Sequence, residues 1–285
     1  MSGIAIGLIY ALPALAIVML YNTAGFFNLA QGEFLAVATY VLYQTYMLWK
    51  LPLPLAILIT IIILGVLGVV VNKLLFDVLR KFKAKELLVL IATIALSVFL
   101  KNAIRAVWGT KPLAMTGMFP TTPMNIMGAY VMPSTFWIMG TSLVLIVVLY
   151  ILSQKSVFGM AMRASAFDRE AASLMGVKVN TIIGGSFAIS LMVTAVAGIL
   201  SSSTLYLIPE MGDSIATKSF AATVVGGFGN PVGAVIGGVL IGVVESFVSL
   251  SLPASYKNAI TFVILIAFLL FKPGGLFKSQ ITTKV

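Results

Sequence analysis

Long apolar runs, each broken by a short polar interval, set the pattern of this chain. The first run is Gly3–Tyr21, followed by "NTAGFFNLAQGEF" at 22–34, a stretch too polar to be lipid-exposed. A second run covers Phe34–Trp49 and stops where Pro52 and Pro54 break the chain; a third extends from Leu55 to about Phe76. Leu87–Trp108, Phe136–Leu152, Thr181–Leu205, Val232–Leu252 and Ala259–Phe271 follow. Runs of this length suit α-helical spans, which need about 20 apolar residues. The alternating segments of about 10 residues that mark a β-barrel are absent. The expected fold is an all-α integral membrane protein, a polytopic helical bundle of eight or nine transmembrane segments, some of them broken or half-helices. It forms one transmembrane domain over 1–285.

The polar intervals set the sidedness. "RKFKAKE", Arg80–Glu86, holds four basic residues and one acid. Residues 155–178 hold Lys155, Arg163, Arg169 and Lys178 against Asp168 and Glu170. Lysine and arginine gather in cytoplasmic loops, so both intervals are placed inside, two crossings apart. Residues 109–134 carry one charge and four prolines and read as an outside loop. The tail, with Lys272, Lys278 and Lys284 and no acid, should be inside. That parity requires residues 214–229 to return the chain inward as a short or broken helix; the side of the N-terminus stays open.

Composition agrees. The 285 residues are 60% hydrophobic and 9% charged, with a mean hydropathy of +1.12, where a soluble domain has about 25% charged residues. A net charge of +10 would suggest nucleic acid in a soluble protein; positive-inside loops account for it here, so no nucleic-acid partner is expected. With no cysteine and no histidine, disulfides, Cys/His metal sites and histidine catalysis are excluded. The N-terminus lacks a basic n-region, so no cleaved signal peptide is expected.

Two polar breaks look alike. "AGFFNLAQGEFLAV" and "GGFGNPVGAVIGG" both place Gly-Phe, then Asn, then Gly, before an apolar helix. Paired discontinuous helices mark transporters, where freed backbone groups line a cavity; glycines that merely allow close packing are the alternative. The candidate broken-helix glycines are Gly25, Gly32, Gly226, Gly227 and Gly229. Candidate path-lining groups are Asn28, Gln31, Glu33, Thr223, Asn230 and Glu245, because acids deep in a membrane default to function. Glu245 has an equally weighted structural reading, a hydrogen bond that pins adjacent helices. No charged cluster is expected in the spans.

"SAFDREAASLMG", residues 165–176, reads instead as a capped surface helix. Ser165 with Asp168 fits the [ST]-x-x-[DE] capping box, Asp168 and Glu170 suit the positive end of the helix dipole, and Gly176 suits a left-handed stop. The helix should be about ten residues, about 15 Å, too short to span. Ala164, Phe167, Ala171, Leu174 and Met175 form an apolar stripe at helical spacing. Such a helix either rests on headgroups or docks into another protein's groove.

"EAASLMG", Glu170–Gly176, resembles the E-A-A-x-x-x-G core of the cytoplasmic loop in ABC importer permeases. The wider stretch "GMAMRASAFDREAASLMGV", with "YNTAGFFNLAQGEF", "FAATVVGGFGNPVGAVIGGVLIGVVES" and "YKNAITFVILIAFLLFKPGGLF", resembles permeases of branched-chain (hydrophobic) amino acid uptake, LivH-type. No Ile-x-Leu-Pro follows Gly176, as is usual in this branch and unlike the maltose-type importers. The chain starts close to the Tyr21 motif, so the first span is expected to be incomplete or trimmed. The resemblance implies a coupling helix, in a cytoplasmic loop at 154–180, seated on an ATPase subunit, with Arg163, Ser165, Phe167, Asp168, Arg169, Glu170, Ala171, Ala172 and Gly176 as coupling residues. Arg163 and Arg169 are candidates to pair with acids on that partner, or are plain inside charge.

The chain has no G-x-x-x-x-G-K-[ST] phosphate loop, so it is not expected to be an enzyme or to bind a cofactor; ATP and Mg belong on two partner ATPase subunits. The resemblance further implies a second related permease subunit, as a hetero- or homodimer, and an extracytoplasmic amino-acid-binding protein docking on 109–134 and 206–218. It places the protein in the inner membrane of a prokaryote, importing branched-chain amino acids. Urea or short amides as cargo, and an ion-coupled secondary transporter, stand as alternatives.

Overall fold

The computed structural model describes residues 1–277 apart from Lys83, Pro120, Thr121, Met127, Gly128, Leu252, Ala254, Ser255 and Pro273. The tail lysines Lys278 and Lys284 lie outside the described residues. Twelve helices and one small hairpin are described. Helix α1 is Ser2–Ala24; α2 is Gln31–Tyr43, prolonged by a π-helical turn over Gln44–Leu48. Helix α3, Leu53–Val71, runs through a second π turn, Asn72–Phe76, into α4, Asp77–Lys81. Then come α5, Glu86–Trp108, strands β1, Met124–Ile126, and β2, Ala129–Val131, and α6, Pro133–Lys155. Helices α7, Val157–Phe167, and α8, Arg169–Leu174, are short. Helices α9, Val179–Ser201, α10, Met211–Gly226, α11, Pro231–Ser251, and α12, Tyr256–Phe271, complete the bundle.

Among the described residues, six helical stretches are long and apolar enough to cross a membrane: α1, Leu53–Lys81, α5, α6, α9 and Pro231–Leu250. The chain is therefore a multi-pass membrane protein. Burial orders them. The apolar window of α1 is 89% buried and that of α9 72%, against 11% in α5 and 22% in α6. Helices α1 and α9 thus form the centre, and α5 and α6 present their apolar side chains to lipid or to a partner.

Helix α1 crosses α11 through glycines. Gly3 and Gly7 on one helix, and Gly238 and Gly242 on the other, make a Gly-x-x-x-Gly pattern on each. A Cβ on Gly7 would stand 2.7 Å from the Cα of Val239, and one on Gly238 2.6 Å from the Cα of Ala11. Membrane helices gain little from apolar burial against lipid, so close backbone approach is a main source of their attraction.

The chain ends and turns sort to two ends of the bundle. At the basic end, the Arg169 guanidinium reaches the Ala24 carbonyl and Asn22 Nδ2 donates to the Gly229 carbonyl at 2.8 Å. The N–H groups of Leu276 and Phe277 donate to Val225 and Gly226 at 2.9 and 3.0 Å. At the opposite end, Leu113 and Leu207 exchange two backbone hydrogen bonds of 3.0 and 2.8 Å, and Tyr46 Oη donates to the Gly117 carbonyl at 3.0 Å. The short helix expected over 214–229 is present as α10, which runs back toward the basic end. Residues 206–218, expected as a docking loop, are a loop only to Glu210; the rest is the start of α10, with Met211, Ile215 and Lys218 buried.

Candidate functional site: a surface helix and an intramembrane charge cluster

The basic end is built from caps. Ser156 ends α6 and starts α7: its hydroxyl accepts from the Gly159 N–H at 2.9 Å and donates to the Leu152 carbonyl at 2.5 Å. Helix α7 stops at Phe167, and Asp168, with extended backbone, caps α8 by accepting from the N–H groups of Glu170 at 2.8 Å and Ala171 at 3.0 Å. Gly176 has φ +88°, the left-handed stop expected of it.

This corrects the capped-helix expectation. The segment 165–176 is two pieces: Ser165 lies inside α7, buried, and its hydroxyl has no hydrogen-bond partner among the described residues. The cap is Asp168, and α8 has six residues, not ten. The expected stripe is therefore not one helix face. Its larger members are nevertheless exposed, Phe167 76% at the bend and Leu174 88% and Met175 86% at the far end of α8. Ala171 and Glu170 are exposed beside them, while Ala172 is buried against the body.

Both arginines bind this chain. Arg163 donates to the carbonyls of Ser153 and Gln154 at the end of α6, where a cation suits the negative end of the helix dipole. Arg169 donates to the Ala24 carbonyl at the end of α1. Burial, then the nearby Arg80 guanidinium, lowers its pKa from the usual arginine value.

The two broken segments meet each other. Helix α1 ends at Gly25, φ +72°, and α10 ends at Gly227, φ +112°. Both backbones are strained for any residue with a Cβ. Between the breaks, Phe27 stacks on Tyr21 at 4.2 Å and packs edge-on to Phe228 at 5.4 Å and Phe220 at 6.0 Å. Gly32 and Gly226 follow the alternative reading and pack closely. A Cβ on Gly226 would stand 2.8 Å from the Ala234 nitrogen, and Gly32 faces Gly212, where a Cβ would stand 2.5 Å from the Gly32 carbonyl oxygen. Gly229 is left-handed, φ +80°.

The candidate path residues divide. Asn28 Oδ1 accepts from the Ala30 N–H at 3.1 Å, and its Nδ2 donates to Gln31 Oε1 at 3.2 Å. Gln31 Nε2 donates to Ser190 Oγ at 3.0 Å and to Thr194 Oγ1 on α9. Asn230 Oδ1 accepts from the Gly233 N–H at 3.0 Å, and Thr223 Oγ1 donates to the Phe220 carbonyl at 2.6 Å. Asn28, Asn230 and Thr223 hold helix starts and turns, and Gln31 ties α2 to α9.

Glu245 joins Lys218 at 2.8 Å and accepts from Tyr10 Oη at 2.9 Å; Lys218 Nζ also donates to Tyr10 Oη at 3.1 Å. This buried triad ties α1, α10 and α11. Glu33, 1% exposed, lies on α2 beside Lys101 of α5 at 3.6 Å, and Lys101 Nζ reaches Asp213 Oδ2 of α10 at 2.5 Å. One turn along α5, Arg105 pairs with Glu210 at 2.5 Å. The expectation of no charged cluster in the spans is overturned. Lys101, Arg105 and Tyr10 went unremarked in sequence, although Lys101 and Arg105 sit at i, i+4 in an apolar run, a local sign of a shared polar face. Among the described residues no group of three His, Cys, Asp or Glu could hold a metal.

The family model described as branched-chain amino acid transport system / permease component matches residues 1–269. The chain is 30% identical to the high-affinity branched-chain amino acid transport system permease protein LivH of Salmonella typhimurium, covering 96% of this chain and 93% of that protein. It is equally 30% identical to the permease protein BraD of Pseudomonas aeruginosa, with the same coverage. Among solved structures, PsaBC from Streptococcus pneumoniae in complex with Fab matches with a TM-score of 0.53 at 13% identity, covering 96% of this chain and 91% of that one, which shows a shared fold.

Proposed function

The chain belongs to the branched-chain amino acid transport permease family, and on that footing we propose that it is a membrane subunit of an ATP-driven importer of branched-chain amino acids. It sits in a prokaryotic inner membrane. Nine crossings follow, with α2 plus its π turn, α10 and α12 as the short ones; the N-terminus lies outside and the basic end faces the cytoplasm. The observation that carries the reading is the exposed apolar group at the two ends of the short capped helix α8, with Phe167 before it and Leu174 and Met175 at its close. An apolar knob at the cytoplasmic face suits the groove of an ATPase subunit.

The geometry supports a mechanical role. Asp168 stiffens the start of α8, and Arg169 links it to the end of α1, the most buried helix of the bundle. A push on α8 is thereby delivered to the central helix and to the breaks beside it. ATP and Mg bind the two partner ATPase subunits. A second permease subunit covers the exposed faces of the bundle, and a binding protein delivers cargo at the 109–134 end.

The test is uptake of radiolabelled L-leucine into proteoliposomes holding this chain with its co-purified subunits. Uptake should require ATP inside and binding protein outside, and persist without any ion gradient. Uptake driven by an ion gradient without ATP would establish the secondary-transporter alternative instead.

A further inference from the structure

Five charged side chains on three helices converge within the membrane region: Glu33 on α2, Lys101 and Arg105 on α5, and Glu210 and Asp213 at the start of α10. Lys101 lies seven residues before Trp108, the last residue of α5, hence about 10 Å inside the outer end at 1.5 Å per residue. Their neighbours on α5, Val98, Phe99 and Val107, are 53%, 67% and 67% exposed, so this helix lies at the edge of the single chain. Ionised groups at such a position do not face hydrocarbon. Such a cluster calls for water or a partner's polar groups at that edge of the bundle.

The pairing within the cluster is uneven. Two cations stand against three acids. Lys101 is shared between Asp213 at 2.5 Å and Glu33 at 3.6 Å, and Arg105 is taken by Glu210. Glu33 is 1% exposed, and neither of its carboxylate oxygens makes a hydrogen bond to a described residue. A buried carboxylate without donors is costly. It is aimed at Lys101 and has acceptor capacity for a further cation.

We propose that Glu33, Lys101 and Arg105, with Asp213 and Glu210 as exchangeable counter-ions, form a transient site for the zwitterionic head group of an α-amino acid. The α-ammonium donates to Glu33. The α-carboxylate displaces Asp213 from Lys101 or Glu210 from Arg105, and each displaced acid turns to water, since both are about half exposed. The site reads the head group and makes no demand on the side chain, which suits a cargo class defined by several aliphatic side chains. Neutral urea can hydrogen-bond there but brings no charge to either half of the site. The proposal rests on the importer reading above and names the chemistry of its path.

The experiment uses the complete complex in proteoliposomes, with L-leucine as probe and two readouts, uptake and binding-protein-stimulated ATP hydrolysis. Glu33→Gln should lower uptake by about tenfold to a hundredfold, the range for losing a hydrogen bond to a charged group, while stimulated ATP hydrolysis stays within about twofold. Lys101→Met should behave alike, and Lys101→Arg should restore most uptake. Unchanged uptake in Glu33→Gln overturns the site. Parallel loss of ATP hydrolysis and of thermal stability in Glu33→Gln and in Lys101→Arg also overturns it, because the cluster is then only a clamp. A wild-type complex that hydrolyses ATP but carries no leucine overturns the parent reading, and the site with it.

Discussion

Replacing Lys218 by Met removes one member of a buried charge pair and leaves the other. The Lys218 and Glu245 side chains are each 7% exposed, and their Nζ–Oε1 distance is 2.8 Å. At an effective dielectric constant of about 20, two unit charges at that separation attract by about 6 kcal/mol, before the cost of removing both from water. The net worth of the intact pair is therefore small. Lys218→Met is different: Glu245 loses its counter-ion and retains only the Tyr10 hydroxyl at 2.9 Å, and removing one partner of a buried pair costs about 3–5 kcal/mol. At about 2–4 °C per kcal/mol for a chain of this order of size, the midpoint should fall by on the order of 10 °C. Glu245→Gln alone should destabilise similarly by stranding Lys218. The double variant Lys218→Met/Glu245→Gln should recover most of the loss, with a coupling energy of about 2 kcal/mol or more for directly paired groups. The assay is thermal unfolding of the detergent-solubilised complex, followed by intrinsic fluorescence, for the wild type and three variants. Strictly additive losses in the double variant would refute the pairing, and a shift below about 2 °C in Lys218→Met would refute the burial argument.

Three further outcomes follow from the basic end and the outer rim. Arg169→Ala should leave the ATPase subunits bound but lower leucine uptake about tenfold, if the strut to Ala24 is worth about 1.5 kcal/mol; co-purification and uptake measured together check it. Asp168→Ala should weaken the start of α8 by about 1 kcal/mol and speed hydrogen exchange at the amides of Glu170 and Ala171, whereas Ser165→Ala should leave both rates unchanged. Hydrogen bonding from Arg105, the largest cause, holds the Glu210 carboxyl below its usual pKa. A depressed carboxylate stabilises the fold above its unfolded pKa and stops doing so as pH falls through the folded value. The contribution of this pair should therefore be constant at neutral pH and disappear below the ordinary carboxylate range. The effect is small at so exposed a position, and a Glu210→Gln variant should lack that part of the acid transition.

The main spans were legible because their signals are local. The helix-breaking glycines at 25 and 227 and the stop at Gly176 rest on composition within a few residues, and the short return helix α10 on the parity of the basic intervals. The cap was misplaced because Ser165 and Asp168 stand three positions apart and both fit a start signal. Only the bend after Phe167 decides between them, and that bend comes from packing α7 on the body. The partners within the charge cluster were illegible for another reason. Lys101 and Asp213 are 112 positions apart, and no local pattern reports a pairing across helices. The partners of Gln31, Ser190 and Thr194, lie about 160 positions away and left no local trace either.

The chain contains no cysteine, so Met175→Cys provides a single thiol at the tip of the exposed group between α8 and Gly176. The direct measurement is its labelling by a membrane-impermeant maleimide in oriented vesicles, with and without the ATPase subunits bound. Rapid labelling from the cytoplasmic face only, suppressed when the ATPase subunits bind, is the expected result. Labelling from the outer face, no labelling from either face, or equal labelling with and without those subunits would contradict a force-receiving contact at this end of the bundle.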